Sequence, residues 1–388
     1  MVSIKHFIFK VFTIIFGFVF AFALLEVAFR ILPVSTPTYS NPVNSENPMA
    51  NFKPNNDVVT SIGWTFEYVS HKHINNYGFF SDSDYEKKSG LPLMAVIGDS
   101  YVEAKQVDNS KTMFGLLNNE VEDFGRVYGI GVSGAPLSQY LAYANFARKE
   151  FSPDAFVFII ISNDFDESMK KYKGEPGLHY FVDHDGKLIL ERIDRTEHPV
   201  LIRILRESAF FMFVFVNLQL DWKKVQDNLE KLAFWRKDSN KKNSEEFFGN
   251  VPLKVSEVRE KDSYRAIDAF FSMLPEKTGV SPSKILFVVD GMRQAIYSGT
   301  EQKDSYLFKM REDFMGKARK KGYGVIDMHP VFQNDYLKNG DKFEYSIDYH
   351  WNELGHFLVA REIGKSKTFE RFLGRKVVLN SRPEGRRY

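Results

Sequence analysis

Apolar positions along the chain fall into three patterns, each predicting a different kind of element. The first is one unbroken run: from Val11 to Ala28 nearly every residue is apolar, with Thr13 and Glu26 as polar exceptions, after a short segment carrying Lys5, His6 and Lys10. A run of this length suits a bilayer hydrocarbon core of about 30 Å. Basic flanks tend to stay cytoplasmic, so the Lys5/Lys10 end is expected inside and everything beyond Arg30 on the periplasmic or extracellular side. A cleaved signal peptide is the competing expectation, with Ala21-Phe22-Ala23 as its small-x-small site. The run continues past that site through Leu24, Leu25, Val27, Ala28 and Phe29, which favours an uncleaved anchor over residues 1–32.

The second pattern is a set of short, mainly apolar runs closed by polar or glycine-containing turns: Leu93 to Gly98, Arg126 to Val132, Ala155 to Ile161, Lys284 to Val289 and Gly324 to Met328. The third is helical periodicity between them, over Lys111 to Val121, Leu137 to Lys149, Asp304 to Lys321 and Glu353 to Phe372. Strands buried on both faces and alternating with helices predict an α/β fold, a three-layer α/β/α (flavodoxin-like) arrangement around a central parallel sheet of about five strands. Sites in such sheets form at the carboxyl ends of the strands.

Residues 33–56, rich in Pro, Ser, Thr and Asn, read as an extended linker, and the folded domain as 57–388. The stretch from His73 to Phe79 reads as a surface loop. An insertion at about 165–261 is far longer than an ordinary loop between strand and helix. It opens with a predicted hairpin, Tyr180 to Asp183 and Lys187 to Leu190 around His184-Asp185-Gly186. An apolar helix candidate follows, Leu201 to Leu220, with Phe210, Phe211, Phe213 and Phe215; it is either a lid or membrane-facing cap, or a helix packed on the domain's side. Asp221 to Glu257 is charged, which predicts a solvated, mobile segment.

Composition removes several function classes. A net charge of +2 with basic residues spread along the chain offers no field for a nucleic acid. The absence of cysteine excludes a thiolate nucleophile, disulfides and cysteine-based zinc sites. A metal site on His71, His73 or the Asp348/His350 pair has no ligand spacing behind it, and Gly364-Lys365-Ser366 lacks the upstream glycine of a phosphate-binding loop. No metal and no cofactor is called for.

The chemistry gathers at strand ends. The first strand runs into Gly98-Asp99-Ser100, which places Ser100 at a carboxyl end with its backbone N–H directed at a developing oxyanion. A serine nucleophile needs a base, and the base an orienting group. Asp348-Tyr349-His350 supplies both, because side chains two apart in an extended segment project to one side. His356 lies inside the final helix and is expected to pack or face solvent. Gly134, in Gly131-Val132-Ser133-Gly134, and Asn163, in Ser162-Asn163-Asp164, sit at the next two strand ends, where they can join the Ser100 N–H as an oxyanion hole, with Asp99 supporting the turn.

Taken together these blocks resemble the SGNH, or GDSL, hydrolase superfamily. Gly98-Asp99-Ser100 is similar to its nucleophile block, Gly134 and Asn163 to its oxyanion residues, and Asp348 with His350 to its last block. Asn75-Asn76-Tyr77-Gly78-Phe79 resembles a stretch that precedes the nucleophile in membrane-tethered bacterial members. Two departures stand out: Ser162 next to Asn163 in a block that usually reads Gly-x-Asn-Asp or Gly-Asn-Asp, and a spacing of Asp-x-His where Asp-x-x-His is common. The resemblance covers about 70–165 and 280–372. It implies a Ser100–His350–Asp348 acyl-enzyme acting on an acylated carbohydrate or small ester, as an O-acetyl esterase or as an O-acetyltransferase for a cell-envelope polysaccharide. A glycan-binding protein without catalysis is the rival from another class. Within catalysis, Ser133 in Gly131-Val132-Ser133-Gly134-Ala135 is the rival nucleophile, as a loose G-x-S-x-G elbow.

Overall fold

The computed structural model describes residues 2–87, 90–161, 163–220, 247–248, 251–252, 254–300, 303–377, 379 and 382–383. These residues cluster in two units, one built from residues 1–38, 58–71 and 198–220 and the other from the rest.

In the second unit, five strands form one parallel sheet: β3 (Leu93–Gly98), β4 (Arg126–Gly131), β5 (Ala155–Ile160), β8 (Ile285–Val289) and β9 (Gly324–Asp327). Their spatial order is β9-β8-β5-β3-β4, the flavodoxin-like order, so the chain leaves β3 toward β4 and then crosses to the other side of β3 for β5. The crevice at that reversal lies outside the carboxyl ends of β3 and β5. Alternation sends successive side chains to opposite faces. Met94, Val96, Val157, Ile159, Leu286 and Val288 share one core with α3 (Met113–Val121) and α11 (Glu353–Lys365). The opposite face carries rings: Phe158 meets Phe270 at 6.0 Å and Phe287 meets Phe314 at 5.1 Å, from α7 (Glu257–Thr278) and α9 (Tyr306–Lys320). Helices thus cover both faces, giving three layers.

Register brings two glycines side by side, Gly98 opposite Gly131. A Cβ on Gly98 would stand 2.6 Å from Val102 Cγ2, and one on Gly131 would stand 2.8 Å from the Asp99 carbonyl oxygen. Their bareness lets the turn after β3 lie directly against β4.

Several expectations change. The final helix is two, α11 and α12 (Lys367–Leu373), because Ser366 breaks from helical geometry and its side chain accepts from Phe369 N–H to cap the second. Residues 33–56 are not a free tether. Val43, Met49, Ala50 and Phe52 are buried, apolar residues spaced too irregularly among Pro and Asn to show a period. Nor is the stretch before Phe79 a surface loop: Asn75 is fully buried, its Oδ1 accepting from Tyr77 and Phe79 N–H. Gly78 there has φ +77°, and a Cβ would collide with the Phe52 carbonyl. The insertion's hairpin forms, β6 (His179–His184) with β7 (Lys187–Arg192), its turn residues Asp185 and Gly186 both at positive φ. The charged stretch beginning at Asp221 lies mostly outside the described residues.

A two-stranded sheet of β1 (Asn56–Ile62) and β2 (Tyr68–Ile74) precedes the main sheet. On β2, Lys72 is buried, its Nζ donating to the Ala104 and Val107 carbonyls at 2.9 and 2.8 Å. These carbonyls belong to the loop that follows Ser100. Burial drives the Lys72 pKa down from 10.5 to about 7, against the pull of Asp82, Glu103 and Asp108. Between those pH values the unfolded chain binds the extra proton and the folded chain does not, so stability rises with pH. Urea unfolding at several pH values from 7 to 10 is expected to show a stability gain that Lys72→Met lacks, with a difference in slope approaching about 1.4 kcal/mol per pH unit. Parallel profiles for the two proteins would mean that the amine stays charged in the fold.

Candidate active site

Ser100 is the first residue of α2 (Ser100–Glu103), a single turn launched from the end of β3. Asp99 caps that turn, its Oδ1 accepting from Tyr101 N–H at 2.9 Å. The Ser100 hydroxyl has two acceptors within reach, His350 Nε2 at 2.8 Å and Asp99 Oδ2 at 3.3 Å. One proton serves one acceptor at a time, and the imidazole is the nearer. Burial raises the Asp99 pKa to about 6, against the Tyr101 N–H and the His350 charge.

His350 arrives on the loop between α10 (Met328–Asn339) and α11. Its Nδ1 lies 3.4 Å from Asp348 Oδ2, a contact whose angles fall outside hydrogen-bond geometry. Asp348 also accepts from the His350 backbone N–H at 3.1 Å and from Gln106 Nε2 at 2.8 Å. Burial pushes the Asp348 carboxyl up, but His350 and Gln106 outweigh it and the pKa falls below the usual carboxylate value. The segment is not extended, as its spacing suggested. Tyr349 has φ +60°, so Asp348 folds over the His350 N–H as a turn, and the two side chains meet for that reason.

Sequence reasoning missed what fixes this turn. Arg293 Nη1 donates to the Tyr349 carbonyl at 2.9 Å, and the Tyr101 hydroxyl donates to the same oxygen at 3.1 Å. Arg293 is buried between Asp290 and Glu344, and its Nη2 donates to the Tyr101 hydroxyl at 2.6 Å. Asp290, just past β8, also accepts from Trp351 Nε1 at 3.1 Å. Asn352 then caps α11 through Gly355 N–H. A charged residue after a strand was the signal available, but nothing in the sequence links Arg293 or Glu344 to the loop that carries His350. His356 packs, with its ring edge-on to Trp351 at 5.6 Å and its pKa pushed down to about 3 by burial.

Asp99, Ser100, Gly134, Asn163, Arg293 and His350 line one cleft of about 310 Å³. Gly134 has φ +78°, and its loop is tethered by Glu103, which accepts from Ser133 N–H and pairs with Lys105. Asn163 Nδ2 donates to Glu167 Oε2 at 3.2 Å, which in turn pairs with Lys173 at 2.5 Å. An amide has two N–H donors, so one is held by Glu167 and one is left for a ligand. Ser133 is exposed, and its hydroxyl makes no hydrogen bond among the described residues. Among the described residues no group of three or more His, Cys, Asp or Glu could hold a metal ion.

A scan against protein-family models and a search of curated proteins give no match. Solved structures do match. A member of the lipolytic protein G-D-S-L family from Veillonella parvula is 12% identical over 69% of this chain and 93% of its own, with a TM-score of 0.34. A lipase/acylhydrolase from Enterococcus faecalis is 11% identical over 75% and 100%, with a TM-score of 0.38. An acetyl xylan esterase is 14% identical over 70% and 97%, with a TM-score of 0.33. At such identities and TM-scores these likenesses carry no chemistry across, and what the site can do is taken from its own residues.

The Tyr101 hydroxyl couples Arg293 to the turn that carries His350, while its ring lies tilted at 4.9 Å from the imidazole. Tyr101→Phe keeps the ring and removes the coupling. The rate at which a fluorophosphonate modifies Ser100 is expected to fall roughly ten-fold, with little change in unfolding midpoint, because a loosened base loses alignment before the fold loses stability. An unchanged rate would show that Arg293 alone holds the turn.

Proposed function

We propose that the chain is an ester-acting serine hydrolase of the SGNH type, with Ser100 as nucleophile, His350 as general base and acid, and Asp348 as the group that orients it. The observation that carries this reading is the 2.8 Å contact between Ser100 Oγ and His350 Nε2, with the carboxylate of Asp348 on the far side of the ring. Hydroxyl, imidazole and carboxylate in that sequence form the relay that nucleophilic acyl transfer requires.

Ser100 Oγ attacks the ester carbonyl carbon as its proton passes to His350 Nε2. The carbonyl π electrons move onto oxygen, where the N–H groups of Ser100 and Gly134 and the free N–H of Asn163 are its donors. Loss of one such donor costs on the order of 3 kcal/mol. Collapse breaks the bond to the alcohol oxygen, which takes the proton from His350 and leaves. Water then adds to the acyl-enzyme with His350 as base, the acid is released, and Ser100 regains its proton. Asp348 holds its charge throughout, opposite the imidazolium that forms twice in the cycle.

The cleft supports a short acyl group. Its volume of about 310 Å³ is small, and Arg293, Gln294, Arg311 and Glu344 line it beside Met292 and Leu307. A polar wall of this kind suits the alcohol side of a carbohydrate ester better than a long hydrocarbon chain. An O-acetylated glycan is accordingly the substrate class proposed.

Ser100→Ala is expected to lower turnover of p-nitrophenyl acetate by at least about 10³-fold and to abolish fluorophosphonate labelling, while Ser133→Ala retains both. Mapping the label to another serine, or full turnover by Ser100→Ala, would overturn the assignment. Acetate release from acetylated glycan by the wild type checks the substrate class separately.

A further inference from the structure

The unit built from residues 1–38, 58–71 and 198–220 contains a carboxylate in an unusual place. The helix α1 (Val2–Ile31) is long and apolar enough to cross a membrane over Ile4–Ile31, and none of that window is buried in protein. A hydrocarbon core takes up about 20 helical residues. Counted from Val11, just past Lys10, the twentieth residue is Arg30, so Glu26 lies one helical turn inside the boundary between hydrocarbon and headgroups.

Glu26 is well supplied with donors. Oε2 accepts from Ser208 Oγ at 2.7 Å and from Phe210 N–H at 3.2 Å; Oε1 accepts from Ala209 N–H at 3.0 Å and from Arg30 Nε at 2.8 Å. Arg30 also reaches the Glu207 carbonyl at 3.1 Å. Rings complete the contact, with Phe29 stacked on Phe213 at 4.4 Å and Phe22 edge-on to Phe210 at 5.7 Å. The turn at 208–210 is therefore fastened to α1 at one depth. A carboxylate near a bilayer is tolerated where it is paired in this way.

The helix that runs into this turn, α5 (Val200–Arg206), has no buried residue. Val200, Leu201 and Ile204 are 61%, 65% and 63% exposed, and Trp64 of the same unit is 74% exposed. In water such a face would be a sizeable unfavourable apolar surface. What covers it is indicated by continuity: the face begins four residues from Ser208, which Glu26 holds, and on α1 the exposed apolar belt runs on through Leu24, Val27 and Ile31. Exposed Trp, aliphatic side chains and the arginines Arg203 and Arg206 are the residue types of a helix lying in a membrane interface.

We infer that α5 and the turn after it form an interfacial membrane element, docked on α1 through Glu26, with Val200, Leu201 and Ile204 seated in the lipid of the leaflet where α1 emerges. The occupant of this face is lipid. The element adds a second point of attachment beside the span.

Because the chain contains no cysteine, single spin labels report on it without background. Full-length Leu201→Cys, Ile204→Cys and Lys320→Cys are labelled in lipid nanodiscs, Lys320 being an exposed reference on α9. Relaxation by oxygen, which concentrates in lipid, is compared with relaxation by a water-soluble nickel chelate. Labels at 201 and 204 are expected to favour oxygen several-fold over the label at 320. Chelate access equal to that at 320 would overturn the proposal. So would exclusion from both reagents, which with dipolar broadening means a second copy and without it a protein segment over the face. Adding Glu26→Gln is expected to shift the 201 label toward the chelate while circular dichroism stays unchanged. Persistence of full oxygen preference would remove Glu26 from the docking.

Discussion

An imidazole relays a proton only when its ring nitrogen lies within hydrogen-bond distance of the hydroxyl and stays there, and here the two groups are 250 residues apart. Nothing local delivers that contact. The sheet fixes one partner, since β3 is paired on both sides and its end cannot move without breaking the pairing with β4 and β5. The other partner hangs on a loop, and the burden of the site falls on making that loop as rigid as a strand. The chain does this with charge. Arg293 is held by Asp290 and Glu344, one at the end of a strand and one at the start of the loop, and it grips the backbone at Tyr349.

Such a device is costly in stability, because each buried charge gives up hydration that its partners only partly restore. Burial opposes the Arg293 charge, yet Asp290 and the neighbouring tyrosines raise its pKa further above the usual arginine value. A hydrophobic plug of equal size would pack as well but would not hold a carbonyl oxygen at a chosen point. Direction is what the ion cluster adds, and the Tyr349 carbonyl, bonded by both Arg293 and Tyr101, is where that direction is used.

The sheet was legible because strands buried on both faces are written as continuous apolar runs; Leu93–Gly98 and Ala155–Ile160 are buried at every position. Ser100, the proposed nucleophile, was legible as a candidate because it follows such a run directly. Asp348 and His350 were legible by type and proximity but for the wrong geometrical reason, since the spacing of two works through a turn at Tyr349 and not through an extended strand. Arg293, Glu344 and Gln106 were not legible. Each is a single polar residue whose partner is distant in sequence, and neither periodicity nor a motif marks such a pair. The helix Glu257–Thr278 was missed because its apolar face, including Phe270 and Phe271, is diluted by charged residues on the exposed side.

The electrostatics around Ser100 pose a harder problem than its placement. Asp99, Glu103, Asp164 and Glu167 all lie in the segments that follow β3 and β5, and four carboxylates so near Ser100 are a poor setting for the oxyanion of the proposed reaction. Each is answered separately. Burial raises Asp99 to about 6, and burial with the charge of Asp99 pushes Asp164 well above the usual range while Tyr140 donates to it at 2.9 Å. Glu103 is paired with Lys105 and tied to the Ser133 N–H. Glu167 is matched by Lys173. The same carboxylates hold the proposed oxyanion donors, Glu103 the loop of Gly134 and Glu167 the amide of Asn163. Acidic residues are therefore compatible with the proposed site when each is either paired with a cation or held by hydrogen-bond donors, and when the hydrogen bonds they accept leave N–H groups for a ligand.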